Sequence, residues 1–236
     1  AAGYSCQQNE EGKWIVPQVA LAKIGEVSYP TLAAAIDAVS EDAPATITVQ
    51  AAVFTDESIV IPAGKSITLD LNGMTIIGEM HKSVGAVVKN SGTLTIKNGT
   101  ISSTAANGGS AVANNGTLTV EKATLNGAGH ADGQWPSYTV NNTGVMTATE
   151  TKITSYHGAL ASYGEGAEAT LIESEIDMAG IPGFTSHGIY TYNGGKVVVN
   201  GGTYANKATD QAASGASVIN GAVEVNAGTF TGRIEN

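Results

Sequence analysis

A short pattern of apolar and polar residues returns seven times along the 236-residue chain. In each copy two apolar residues flank a single residue, and a third apolar residue follows five positions later. The copies are Leu69, Leu71, Ile76; Leu94, Ile96, Ile101; Leu118, Val120, Leu125; Met146, Ala148, Ile153; Ala169, Leu171, Ile176; Val197, Val199, Tyr204; and Val223, Val225, Phe230. Their first positions are separated by 25, 24, 28, 23, 28 and 26 residues. A period of this length is typical of a stacked array whose units cannot bury their apolar faces alone.

The rhythm within each copy is that of a β-strand, because its apolar residues alternate with single residues. Threonine, valine and isoleucine are frequent in the copies, and asparagine and glycine punctuate them. A second apolar segment ending in asparagine precedes most copies, as in residues 85–90, 110–115 and 138–142. The pattern therefore predicts an all-β chain wound as a parallel β-helix, a type of solenoid. A leucine-rich repeat would need more leucine, and a propeller blade would need about 40 residues.

The N-terminal part of the chain does not follow the repeat. Residues 4–29 are interpreted as two short β-hairpins. Residues 31–39 are the one good helical segment, with Thr31 as a plausible N-cap and an apolar face formed by Leu32, Ile36 and Val39. Because the end coil of a solenoid exposes its interior and its strand edges, we expect this short α-helix to cap the first coil.

These elements predict a division of the chain into three parts. Residues 1–28 form a β-hairpin lead-in, and residues 29–45 form the capping helix and the segment that leads into the first coil. Residues 46–236 form a parallel β-helix of about seven to eight coils.

Composition narrows the classes of partner. The formal net charge of −10 argues against binding to nucleic acid and to anionic membrane surfaces. Because the chain contains no run of 18 apolar residues, we expect no membrane insertion. The single cysteine, Cys6, excludes an internal disulfide framework and is interpreted as a buried strand thiol.

Two segments carry a resemblance to a known family. Residues 29–36, Tyr-Pro-Thr-Leu-Ala-Ala-Ala-Ile, and residues 58–76 resemble the opening of pectate-lyase-like β-helix domains. Such domains occur in large secreted or surface proteins, many of them adhesins, of Gram-positive and often gut-dwelling bacteria. The resemblance implies a right-handed parallel β-helix, an extracellular or cell-surface location, and a module of a longer protein. It does not imply one activity, because these domains serve enzymes, adhesins and passive stalks alike.

The resemblance to pectate lyases implies a test for catalysis. Such enzymes hold calcium with several carboxylates on the outside of one sheet and use an arginine or lysine base. The strands that precede each repeat predict an outer face without any carboxylate. This predicted face consists of Val87, Lys89, Val112, Asn114, Thr139, Asn141, Leu160, Ser162, Tyr190, Tyr192, Ser217 and Ile219. A lyase site of the usual kind is therefore not expected, and Lys89 is interpreted as a solvated lysine.

Two short motifs resemble the Gly-His-Gly of polygalacturonases. They are Tyr156-His157-Gly158 and Ser186-His187-Gly188. The paired carboxylates that a glycosidase needs are missing around both motifs. A histidine followed by glycine also suits a turn into a strand. Both motifs are therefore interpreted as structural corners, although a catalytic role stays open.

A binding site is the favoured alternative. His157 and His187 are expected in the same register of successive coils, about 4.8 Å apart. Aromatic rings with polar neighbours suit a sugar, whose CH faces stack on rings while its hydroxyls bond to side chains. Two histidines without a third ligand predict no metal site, and no cofactor is expected. The candidate ligand-binding residues are Trp135, His157, His187, Tyr190, Tyr192, Tyr156, Asp132 and His130.

Polar ladders are predicted along the stacked coils. In the repeat register Lys122 lies against Glu150, and Lys152 lies against Glu175. An inward asparagine ladder is expected at one corner, formed by Asn90, Asn115, Asn142, Asn193 and Asn220.

The sequence thus favours a non-catalytic, secreted or cell-surface β-helix module that binds a glycan or another surface ligand on a rigid rod. A polysaccharide lyase or glycoside hydrolase acting on acidic polysaccharide is the alternative, and a passive structural spacer is the second. Neither the ligand nor the oligomeric state follows from the sequence.

Overall fold

The computed structural model describes residues 7–8, 12–15, 20–79, 85–104, 109–128, 138–179, 186–207 and 217–235. The strands stack in parallel and form a right-handed β-helix of about six turns. Antiparallel hairpins and one short helix stand at its N-terminal end. The fold class that the repeat predicts is therefore confirmed.

The N-terminal elements lie at one end of the solenoid. They are β1 (Gln7–Gln8), β2 (Trp14–Ile15), β3 (Ala22–Ile24), β4 (Val27–Tyr29) and the helix α1 (Leu32–Ala38). The pair β1 and β2 is a separate two-stranded sheet, whereas β3 joins the main sheet by antiparallel pairing. Within the described residues, no helix has the length and apolarity needed to cross a membrane.

Two large sheets form the walls of the solenoid. The thirteen-stranded sheet contains β3, β4, β5 (Ala45–Val49), β6 (Val53–Thr55), β8 (Ser66–Asp70), β9 (Thr75–Gly78), β11 (Thr93–Ser103), β13 (Thr117–Asn126), β15 (Val145–Thr149), β16 (Lys152–Ser155), β18 (Glu168–Met178), β20 (Lys196–Asn206) and β22 (Val223–Thr231). The eight-stranded sheet contains β7 (Ile59–Ile61), β10 (Ala86–Asn90), β12 (Ser110–Asn114), β14 (Tyr138–Asn142), β17 (Gly158–Tyr163), β19 (His187–Tyr192), β21 (Ser217–Asn220) and β23 (Ile234–Glu235). The coils contribute strands to both sheets in turn.

The apolar triplets line one continuous interior in six of the seven copies, all of whose members are buried. The register of the first copy differs from the prediction, because Leu94 pairs with Ile67 and Ile96 pairs with Leu69. The corner that follows contains two left-handed residues, Asn72 and Gly73, and is longer than the later corners. Leu71 is buried within this corner and not in the strand register.

The seventh triplet is an exception at the C-terminal end of the rod. Val225 pairs with the fully buried Val199, yet its own side chain is 45% exposed. Phe230 stacks on Tyr204 with ring centroids 5.0 Å apart and is only partly buried. Within the described chain β22 ends its sheet, so no further coil covers these side chains.

The helix α1 packs at the opposite end, as predicted. The Thr31 hydroxyl accepts a hydrogen bond from the Ala34 N–H at 3.1 Å and so caps the helix N-terminus. Its apolar face is buried against β3, β4, β5 and β7. The Lys65 ammonium donates to the carbonyl oxygen of Ile36 at 2.7 Å and so ties the C-terminal turn to the first coil.

The predicted polar ladders form, with a correction to the asparagine frame. Lys122 lies 3.8 Å from Glu150, and Lys152 lies 2.7 Å from Glu175. The inward asparagines are Asn90, Asn114 and Asn142, joined by amide hydrogen bonds of 2.7 Å. Three predicted members do not belong to this ladder. Asn115 is exposed, Asn193 is a left-handed turn residue, and Asn220 faces outward.

Candidate functional site

The outer face of the eight-stranded sheet differs from the predicted one. The inward column is Val88, Val112, Val140, Leu160, Ile189 and Ile219, which pair in register and are buried. Eight residues predicted to face outward are therefore buried, namely Val87, Val112, Asn114, Thr139, Leu160, Ser162, Ser217 and Ile219. For Val112, Asn114, Leu160, Ser162 and Ile219 the prediction is wrong because a shift of one residue between strands moves every side chain to the other face.

Strict alternation also fails at the start of these strands. In β14, Thr139 and Val140 are both fully buried, while the Tyr138 ring contacts the outward ring of Tyr190. Two consecutive residues therefore turn away from solvent, and the first residue of the strand lies on the outer side. This break brings Tyr138, which sequence reasoning missed, onto the face of Tyr190.

Four rings form an array on this face, here named the ring row: Tyr138, His187, Tyr190 and Tyr192. The ring of Tyr190 is central. Its centroid lies 5.2 Å from that of His187, 5.7 Å from that of Tyr138 and 6.2 Å from that of Tyr192. The planes differ by 15°, 13° and 9° respectively, so the rings are offset and nearly parallel. Only Tyr192 is well exposed, at 54%.

A glycine makes room for this arrangement. Gly158 pairs with Tyr138 on one side and with His187 on the other. A Cβ atom at Gly158 would overlap the Tyr138 ring, which therefore lies across the glycine backbone. The glycine of the Tyr156-His157-Gly158 motif thus seats an aromatic ring, in keeping with the structural interpretation of that motif.

The two histidines are not side by side, contrary to the prediction. His187 pairs with Gly158, so the two imidazoles differ by one position in register. The His157 side chain is fully buried, whereas His187 faces the ring row and its Nδ1 shares a 2.9 Å hydrogen bond with the Ser217 hydroxyl. A backbone hydrogen bond of 2.9 Å runs from the His187 N–H to the His157 carbonyl oxygen. His157 is therefore removed from the candidate surface.

The two buried side chains of the ring row, His187 and Tyr138, are uncharged at neutral pH. Burial lowers the pKa of His187, and the negative charge of Glu235 opposes this effect only in part. Burial also raises the pKa of Tyr138 above its ordinary range, and the neighbouring Tyr190 adds to that shift. The row is thus suited to contacts with a neutral surface such as the CH face of a sugar.

Tyr156 lies at a separate place. Its ring is exposed and borders a cavity of about 270 Å³ that is also lined by Thr154, Asp177 and Lys207. The Lys207 ammonium pairs with the Asp177 carboxylate at 2.6 Å. The structure therefore joins Tyr190, Tyr192 and His187 but not Tyr156. Three predicted site residues, Trp135, Asp132 and His130, lie outside the described residues.

One carboxylate does stand at the end of the outer face. Glu235 in β23 pairs in register with Asn220, from which it accepts a hydrogen bond at 3.1 Å. It also forms a 2.6 Å ion pair with Arg233. Sequence reasoning missed both because its predicted outer face ended at Ile219. In the part of the chain that the structure describes, no three histidine, cysteine, aspartate or glutamate residues converge to hold a metal ion.

Comparison of the chain with protein-family models, with curated proteins and with solved structures finds no match. The parallel β-helix is consistent with a pectate-lyase-like fold.

Proposed function

We propose that this chain is a non-catalytic β-helix module of a secreted or cell-surface bacterial protein, of adhesin type, that binds glycans through the ring row. The observation that carries the proposal is the exposed end of that row. Tyr192 presents its ring to solvent at the end of a series of nearly parallel rings. Sugars bind to such surfaces by packing their CH faces on the ring while neighbouring polar groups receive their hydroxyls.

The neighbouring coil supports a ligand longer than one sugar. Tyr163 pairs in register with Tyr192 and is 37% exposed, so two exposed tyrosines stand one coil apart, a spacing of about 4.8 Å between strands. The amides of Asn141 and Asn220 lie in the adjacent outward column with Tyr190. Because parallel ladders hold all these residues, little conformational entropy is lost on binding.

The proposed cell-surface location and the class of partner are supported by the sequence and not by the ring row. The resemblance of residues 29–36 and 58–76 to β-helix domains of Gram-positive surface proteins supports an extracellular location. The net charge of −10 supports a partner that is not nucleic acid. Fold alone leaves function open, so the binding role depends on the ring row.

The two alternative functions, an enzyme and a passive spacer, require different features on the outer face of the eight-stranded sheet. A lyase or hydrolase for acidic polysaccharide needs several acidic groups free to act on substrate. Glu235 is bound by Arg233 and Asn220, which favours a structural role for it. A passive spacer needs no exposed ring row at all.

A glycan array, with a lyase absorbance assay on pectin and other uronate polymers, tests the proposal. We expect retention of the protein on a subset of glycans and no rise in absorbance. Tyr192→Ala should lose these signals, and Tyr192→Phe should keep them, since the ring face is proposed to make the contact. Cleavage of a polymer would establish an enzyme instead, and the lack of any retained glycan would leave the spacer.

A further inference from the structure

In the described structure, one strand edge at the N-terminal end of the rod has no neighbouring strand, and it lies far from the ring row in the sequence. Strand β6 pairs with β9 on one side, with Val53 opposite Ile76. Within the described residues no strand pairs with its other side. The helix α1 packs mainly against β3, β4, β5 and β7, and a cavity separates it from β6. An open edge offers N–H and C=O groups to another extended chain.

The surface around this edge is apolar and concave. Phe54 projects from β6 and is 76% exposed. It lines two cavities, of about 500 Å³ toward α1 and about 490 Å³ toward β9. Val60 and Leu32 belong to the first, and Ile77 belongs to the second. Cavities of this size suit side chains or small ligands, and a large exposed ring between them is an anchor for an apolar partner.

Among the described residues, the charged side chains that line the two cavities are all acidic. Asp37 and Glu57 line the first cavity, and Asp56 and Glu79 line the second. No lysine, arginine or histidine is among the described residues that line either cavity. The site therefore favours a cationic partner, and a second copy of this acidic chain is disfavoured by repulsion.

We propose that β6 and Phe54 form a docking site for an extended segment of a partner protein in which basic and apolar residues alternate. The segment adds a strand to β6 through main-chain hydrogen bonds, as in other cases of β-strand addition. Its apolar side chains pack beside Phe54, and its basic side chains meet Asp56 and Glu57. Alternation fits because successive residues of a strand point to opposite faces.

The test uses a fluorescent ten-residue peptide of alternating lysine and valine, titrated into the full chain and followed by anisotropy. We expect binding that weakens at high salt, because exposed charges are screened. Phe54→Ala should weaken it at least tenfold, and the double variant Asp56→Asn, Glu57→Gln should flatten the salt dependence. Tyr156→Ala is the matched control, an exposed ring elsewhere, and should bind as the wild type does.

A second probe separates strand addition from simple charge attraction. The same peptide with N-methyl groups on alternate residues keeps its side chains but loses main-chain donors on one edge, and it should bind at least tenfold more weakly. Hydrogen exchange should show protection at residues 53–55 with the unmodified peptide only. Equal binding by Phe54→Ala, by the N-methylated peptide or by an alternating glutamate–valine peptide would overturn the proposal. So would self-association of the chain that Phe54→Ala abolishes, because a second copy would then occupy the edge.

Discussion

At the scale of single residues, the corner of the eight-stranded sheet depends on amide geometry. The Asn114 amide donates to the Asn142 side chain at 2.7 Å and to the carbonyl oxygen of Val145 at 3.1 Å. Its own oxygen accepts from Asn90 at 2.7 Å. Each inward asparagine thus satisfies the next and also a backbone group that the turn leaves without a partner.

Asn114→Ala should therefore lower the free energy of unfolding by about 1–3 kcal/mol, because buried partners on both sides lose their hydrogen bonds. Asn115→Ala is the matched control, since this neighbour is exposed and, in the described structure, its side chain accepts a hydrogen bond only from the Thr143 hydroxyl. Urea unfolding of the two variants gives the comparison. Similar effects at both positions would refute the assigned frame.

The buried imidazole of His187 makes stability depend on pH. In the unfolded chain histidine titrates near its usual pKa of about 6.5, whereas burial lowers the pKa of His187 in the folded state. Between these two values the unfolded state binds the proton and the folded state does not. The free energy of unfolding should therefore fall as the pH drops below about 6.5.

Urea unfolding at a series of pH values, with wild type and His187→Gln, isolates this effect from that of other groups. The variant should show a shallower decline on acidification. An unchanged slope would mean that His187 titrates alike in both states.

The sequence predicts residues of the interior better than those of the outer face. Leu94 and Leu118 are buried as the period predicts, because burial recurs at every coil. Adjacent asparagines such as Asn114 and Asn115 offer two frames that composition cannot separate. Thr139 and Val140 both point away from solvent, and the sequence of one strand does not indicate such a break in alternation. The sequence therefore does not predict that Tyr138 belongs to the candidate site.

At the scale of elements, α1 closes one end of the rod. Its sequence contains both an N-cap residue and an apolar face with helical spacing. The bounds of the helix therefore agree with the prediction to within one residue. The register of the first copy departs from the repeat, because the corner at Asn72 and Gly73 is longer than its successors. The regular copies define the repeat, and a first copy with a longer corner therefore falls out of the register that they predict.

Ile36→Lys should open this end of the solenoid. It places a charge without a partner among buried side chains, with a loss of roughly 3–5 kcal/mol in the free energy of unfolding. Light scattering should also detect association through the uncovered edges. Ala38→Lys adds the same charge at an exposed position of the same helix and should leave both readings unchanged. A stable, monomeric Ile36→Lys protein would show that α1 is not the cap.

At the scale of the whole molecule, each coil is buried only by its neighbours. The position occupied by Val199 and Val225 illustrates this, since the two pair in register but differ in exposure. Period and alternation in the sequence predict this stacking over most of the chain. Whether an end coil is covered depends on what lies beyond it, which the repeat itself does not encode.

Val199→Asp and Val225→Asp should therefore differ sharply. The first buries a charge between two coils and should abolish cooperative unfolding. The second changes a side chain already 45% exposed and should cost about 1 kcal/mol or less. Circular dichroism during thermal unfolding distinguishes them, and equal damage would contradict the stacking order at this end.

The most direct test of the binding role is the affinity of one glycan, selected on the array, for two matched variants. Tyr192→Ala removes the exposed end of the ring row, and Phe54→Ala removes an even more exposed ring at the other end of the rod. By calorimetry, Tyr192→Ala should weaken binding by roughly 1–3 kcal/mol with an unchanged melting temperature, and Phe54→Ala should bind as the wild type does. Equal affinities of Tyr192→Ala and wild type would contradict the assignment of the ring row as the glycan site.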